Sequence, residues 1–144
     1  WKMNLTITEG EQLLDQLLSN QYVLNENRQV VFAVPAPYLA MAQAKVAGQS
    51  HIAIAAQNCY SKKSGAYTGE ISVVMLNSLG ISHVVLGHSE RREYFQESNH
   101  FLAEKVNIAL EYQITPIFCC GEPLQIREAG KQNEFVAQQL EESL

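Results

Sequence analysis

Short apolar runs alternate along this chain with segments whose apolar residues recur every three or four positions. These are the patterns of buried strands and of helices that cover them. Leu13, Leu14, Leu17 and Leu18 have helical spacing, and Thr8 with Glu11 ahead of them has the form of a capping box. The spacing therefore predicts a helix over residues 9–20 with Thr8 as N-cap. Residues 29–34 form a β-rich run that stops at Pro35-Ala36-Pro37, where proline ends a strand and can open a helix at its first position. Residues 38–47 are strong helix formers that Gly48 can terminate. Residues 51–56 are the next apolar run, and a polar loop with Gly65 and Gly69 fills residues 57–69. Residues 70–79 read as an amphipathic helix with Ile71, Met75 and Leu79 inward, closed by Gly80. A third strand follows at 83–87. The clearest long helix is expected at 98–112, with Leu102, Val106, Ala109 and Leu110 on one stripe. Residues 114–120 read as another strand, although Pro116 inside it removes a ladder donor. Gly121-Glu122-Pro123 breaks it, and a last helical pattern occupies residues 133–144.

The order is strand then helix, repeated, with a strand remnant at Trp1-Lys2-Met3-Asn4 in front. Such alternation implies parallel strands joined by right-handed crossovers, within one α/β domain over residues 1–144. A doubly wound sheet and a β/α barrel both fit. No Gly-x-Gly-x-x-Gly follows a strand, so nothing supports a dinucleotide site. Val-Leu-Gly-His and Cys-Cys-Gly-Glu place polar groups after successive strands, the edge at which both architectures bind ligands.

Composition narrows the classes of function. The 144 residues are 47% hydrophobic and 17% charged, with a net charge of −5 and no basic block. That argues against nucleic acid or an anionic membrane as the main partner. No apolar run approaches a membrane span, and no signal-peptide pattern is present. Cys59, Cys119 and Cys120 form neither a Cys-x-x-Cys pair nor a disulfide framework, which points to a reducing, cytoplasmic compartment. His51, His83, His88 and His100 make no metal-ligand pattern, so neither metal nor cofactor is expected.

The chemistry concentrates in His83-Val84-Val85-Leu86-Gly87-His88-Ser89-Glu90-Arg91-Arg92. An apolar run ends at a glycine, offers His88, and turns into a segment that can start a helix. The positive end of that helix would disfavour an imidazolium and keep the ring neutral, able to donate to an oxygen.

Several stretches carry a resemblance. Trp1-Lys2-Met3-Asn4, Ala56-Gln57-Asn58, Ser64-Gly65-Ala66-Tyr67-Thr68-Gly69-Glu70, Gly87-His88-Ser89-Glu90-Arg91-Arg92 and Cys120-Gly121-Glu122 resemble the triosephosphate isomerase family, in its order and at its spacing. The resemblance implies a (β/α)8 TIM barrel. Such barrels take about 250 residues, so these 144 residues would be an incomplete barrel of roughly the first five β/α units, part of a longer polypeptide. It further implies an isomerase of glycolysis and gluconeogenesis, acting on triose phosphates without a cofactor, as a cytoplasmic homodimer. The reaction interconverts dihydroxyacetone phosphate and D-glyceraldehyde 3-phosphate through an enediolate. In this family a neutral histidine electrophile, a glutamate base and a closing loop are themselves a standard example of tuned acidity.

Carried over residue by residue, the resemblance makes His88 the electrophile and Lys2 the cation facing phosphate and enediolate. Glu90 looks like a base because it follows His88 so closely, but the family's base lies after a later strand, so Glu90 becomes a supporting residue beside Lys2. Ser89 and Cys119 are supporting, with Cys119 a structural thiol. Arg91 and Arg92 would pair with acids or serve structure alone. Tyr67 and Thr68 would lie at the dimer interface, on a loop that enters the partner subunit. A non-catalytic barrel fragment and another phosphate-handling β/α-barrel enzyme remain as alternatives.

Overall fold

The structure is a computed structural model that describes residues 1–20 and 26–144. Among these, four strands form one parallel sheet in the order β1 (Val30–Val34), β2 (Ile52–Ala56), β3 (His83–Leu86) and β4 (Thr115–Phe118). Val30 pairs with Ile52, Ala55 with His83 and His83 with Thr115, so every strand runs toward the same edge. The helices are α1 (Ile7–Leu18), α2 (Leu39–Val46), α3 (Val73–Ser78), α4 (Ser89–Tyr94), α5 (Asn99–Glu111), α6 (Leu124–Glu128) and α7 (Gln132–Ser143), with a 3-10 turn at Ala36–Tyr38 before α2. Strand alternates with helix, in the parallel α/β arrangement of a partial TIM barrel. Val34, Ile54, Val84 and Leu86 from the sheet pack with Leu14, Leu39, Val73, Leu76, Val106 and Ala109 from the helices as one core.

Four local expectations are corrected. Helix α1 starts two residues earlier than Thr8 suggests. Thr6 is its N-cap: Glu9 Oε2 accepts from Thr6 N at 2.7 Å, and Thr6 Oγ1 accepts from Glu9 N at 3.4 Å. The Thr-x-x-Glu pattern occurs twice in overlap, and the earlier copy wins. Glu11 instead pairs with Lys45 at 3.1 Å. On α3, Ser72 caps the helix, so Ile71 falls outside it. Val73 and Leu76 then face inward, whereas Met75 is 56% exposed. On α5 the inward stripe is Leu102, Lys105, Val106 and Ala109, with a lysine where an apolar residue would be expected, and Leu110 faces out. Residues 1–4 carry no strand in this structure; Gln57 Nε2 bridges the carbonyls of Trp1 and Ala33.

Pro116 does lie in a strand, and the ladder explains why it is tolerated. Thr115 N donates to Ser82 O and Cys119 N to Leu86 O, both at 2.8 Å. The odd-numbered amides of β4 therefore face β3. The missing N–H of Pro116 falls on the opposite side, where no described strand pairs. Strand β4 is less buried than its apolar run suggests, since Thr115 and Ile117 are exposed. Helix α6 carried no apolar stripe long enough to predict.

Candidate active site

The site lies at the C-terminal ends of the strands, where β3 passes into α4. Gly87 takes φ +79°, a left-handed conformation that glycine adopts without steric cost. His88 follows as N-cap of α4, and its Nδ1 accepts from Glu90 N at 3.2 Å. A ring nitrogen that accepts from a backbone N–H carries no proton. That leaves Nε2 as the nitrogen able to donate, aimed by the ring's own helix cap. Glu90 Oε2 also lies 3.7 Å from Nδ1, too far for a hydrogen bond.

Glu90 points its other oxygen at Lys2. Lys2 Nζ donates to Glu90 Oε1 at 2.6 Å across 88 positions of sequence. That bond holds the Glu90 carboxyl below the usual glutamate range, against a small opposing effect of desolvation. Glu90 thus contacts His88 through its backbone and Lys2 through its side chain, and gathers the three residues expected at the site. Both partners are well exposed, at 61% and 44%, so the pair organises the site more than it stabilises the fold.

Ser89 is exposed on the first turn of α4, and its hydroxyl has no partner among the described residues. Cys119 is half-buried just past β4, and burial pushes its thiol up. Cys59 is buried and pushed up by desolvation to about 11, which leaves it an inert thiol. Arg91 meets an acid as expected: its Nε donates to Glu97 Oε1 at 2.7 Å. Arg92 does not. It donates to Gly87 O at 2.7 Å, Asn99 Oδ1 at 2.6 Å and Cys119 O at 3.2 Å. Tyr67 packs tilted at 44° against Tyr60 with centroids 4.5 Å apart, on an exposed loop that also carries Thr68. Lys62 ties that loop to α5 through Glu104 at 2.8 Å.

Two features escaped the sequence pattern. Lys105 and Glu97 are a buried ion pair at 2.6 Å, with Asn58 accepting from the same Nζ at 2.9 Å. The available signal was a lysine in phase with Leu102, Val106 and Ala109. The other feature is a cleft of about 640 Å³ beside Lys2, bordered by Asn4, Tyr38, Asn58, Arg91 and Phe95. Lys2 is on its wall and His88 is not, so the cleft adjoins the His88–Glu90–Lys2 group on the Lys2 side. No described helix is long and apolar enough to cross a membrane, and no described cluster of His, Cys, Asp and Glu could hold a metal.

Known proteins place this arrangement. The family model described as triosephosphate isomerase matches residues 1–144. A protein named triosephosphate isomerase from Cytophaga hutchinsonii is 48% identical over 144 residues, covering 100% of this chain and 57% of the relative. One from Porphyromonas gingivalis is 46% identical with the same coverage. One from Bacteroides fragilis is 48% identical over 142 residues, covering 97% of this chain and 55% of the relative. The chain thus spans a little more than half the length of these relatives. With the parallel sheet, the helix-capping histidine and a family match over every residue, the chain belongs to the triosephosphate isomerase family.

Proposed function

We propose that the protein is a triosephosphate isomerase, interconverting dihydroxyacetone phosphate and D-glyceraldehyde 3-phosphate. The observation that carries this reading is the hydrogen bond from Glu90 N to His88 Nδ1 at 3.2 Å, which leaves Nε2 to face a substrate, with Lys2 brought alongside by the same residue. Enolisation puts negative charge on the substrate oxygen, and a fixed neutral donor beside a cation is the arrangement that lowers its cost. His88 donates from Nε2 to that oxygen and is poised to exchange its proton with it. Lys2 faces the phosphate and the enediolate. Glu90 keeps Lys2 in place, Cys119 is a supporting structural thiol past β4, and Ser89, on the first turn of α4, is a supporting neighbour of His88. No residue of these 144 is assigned as the base for the C–H proton; in the family it follows a later strand.

The same reading makes the protein a cytoplasmic homodimer of the glycolytic and gluconeogenic pathway. What supports the dimer is the surface around the site. Met3 is 97% exposed, Tyr94 and Phe95 are exposed, and the loop bearing Tyr67 and Thr68 projects near a cleft that could receive its counterpart. In the full-length polypeptide, Thr68→Arg should shift sedimentation toward the monomer; an unchanged profile counts against the interface. The catalytic reading is tested by a coupled isomerase assay on the full-length polypeptide. His88→Gln should lower kcat by about 10²- to 10³-fold, the scale for losing one preorganised donor. Wild-type turnover by that variant would refute the role of His88.

A further inference from the structure

Lys2 and His88 come from distant parts of the chain, yet the main chain ahead of each is held in the same way. The carbonyl of Trp1, one residue before Lys2, accepts Gln57 Nε2 at 2.6 Å, and that nitrogen also reaches Ala33 O at the end of β1 at 3.0 Å. The carbonyl of Gly87, one residue before His88, accepts Arg92 Nε at 2.7 Å. Arg92 reaches on to Cys119 O past β4 at 3.2 Å and to Asn99 Oδ1 on α5 at 2.6 Å. In both places a planar group with fixed donors ties the peptide before a reacting side chain to the backbone of a neighbouring strand. We propose that Gln57 and Arg92 are positioning residues that aim Lys2 and His88 through these two carbonyls.

The physical need is specific to each place. Among the described residues the Trp1 carbonyl is held by Gln57 Nε2, a donor fixed in turn by Ala33 O, so the side chain sets the plane of the Trp1–Lys2 peptide. The Gly87–His88 peptide follows a left-handed glycine, the residue type with the widest conformational range. Turning that peptide swings the imidazole off its helix cap. Arg92 occupies the room that glycine leaves: a Cβ on Gly87 would lie 3.0 Å from Arg92 Nη2 and 2.8 Å from Cys119 O. None of the three hydrogen-bond acceptors of Arg92 is a carboxylate, and among the described residues no acid lies within ion-pair distance of it. Its fork therefore serves direction, which a lysine of equal charge cannot reproduce.

The inference rests on reading Lys2 and His88 as the reacting groups, and its test separates the two ideas. In the full-length polypeptide, Arg92→Lys should lower kcat by about 10- to 100-fold and leave KM within about twofold, as expected for a misaimed group. Gln57→Leu should raise KM for the phosphate substrate by about tenfold, with a smaller change in kcat. Nitrogen-15 NMR of His88 provides a readout that does not need turnover. The wild type should show one Nε2–H tautomer at neutral pH, and Arg92→Lys should lose that single state while the fold is retained. A variant with wild-type kcat, or a loss matching only the unfolded fraction while His88 keeps its single tautomer, overturns the Arg92 assignment. Unchanged KM in Gln57→Leu overturns the other. Absent turnover in the wild type refutes the isomerase reading, while the NMR comparison still decides whether Arg92 aims His88.

Discussion

Lys105 and Glu97 form a buried ion pair whose disruption should destabilise the fold. The Lys105 side chain is 1% exposed and that of Glu97 is 3% exposed, so both charges of the pair are out of water. Glu97 Oε1 receives Lys105 Nζ at 2.6 Å and Arg91 Nε at 2.7 Å, whereas its buried Oε2 has no partner. Lys105→Met keeps the length and apolar stem of the side chain but removes the cation. It leaves a buried carboxylate with Arg91 alone, and Asn58 Oδ1 loses its donor. Breaking a buried pair from one side costs about 3–5 kcal/mol, and the surviving Arg91 contact puts the expectation at about 3. Glu97→Gln alone leaves two cations facing a neutral amide. The double variant removes charge from both sides, so it should cost less than the sum of the singles by about 1–3 kcal/mol. The assay is urea unfolding of the four full-length proteins at neutral pH and one fixed protein concentration, because association changes apparent stability. A coupling below about 0.5 kcal/mol would show that the two residues act independently and would refute the argument. The stake is more than stability, because Asn58 opens the loop that carries Tyr67 and Thr68.

Gly87→Ala should destabilise by about 2–4 kcal/mol, combining the left-handed penalty with overpacking, since the new Cβ meets the Cys119 carbonyl at 2.8 Å; a chemical-denaturation midpoint equal to wild type would contradict this. Acid should weaken the fold in a defined direction. Hydrogen bonds hold several exposed carboxyls below the ordinary glutamate value of 4.5: Glu9 by Thr6, Glu90 by Lys2, Glu104 by Lys62 and Glu142 by Asn99. A depressed folded value means the unfolded chain binds more protons in that window, so this stabilisation is complete above about pH 5 and is lost as pH falls through the lowered values. The urea midpoint should stay level near neutrality and decline below about pH 5; a midpoint that rises on acidification would reverse the sign of the argument.

The strands and the longer helices were legible because their signals are local. Apolar runs that end at proline or glycine mark β1 and β3, a bare apolar run marks β2, and the periodic stripe over 98–112 finds α5 to within a residue at each end. What misled was ambiguity of register. Two Thr-x-x-Glu patterns overlap, and the later one, Thr8 with Glu11, gave the wrong start for α1, whose box is closed by Thr6 and Glu9. Ile71, Met75 and Leu79 have good helical spacing, but a cap at Ser72 rotates the inward face to Val73 and Leu76. Pro116 counted against a strand only while the free side of β4 was unknown. Lys105 was unreadable for a different reason: a buried lysine is tolerable only with a buried acid, and Glu97 eight positions earlier gives no sign of being buried.

The same distinction governs the site. His88 and Glu90 are two positions apart, so a helix cap linking them can be read from the chain. Lys2 and Glu90 are separated by 88 positions, and Arg92 and Cys119 by 27, and no local pattern says which polar groups cross the sheet edge to meet. The structure nevertheless sharpens the question of whether Glu90 could itself be the base. A carboxylate that takes a proton from carbon needs a raised affinity for protons and a free oxygen facing substrate. Glu90 Oε1 is occupied by Lys2 at 2.6 Å, and that same bond lowers its proton affinity. Its geometry and its electrostatics both oppose the role of base. They favour a residue that lends its amide to His88 and its charge to Lys2.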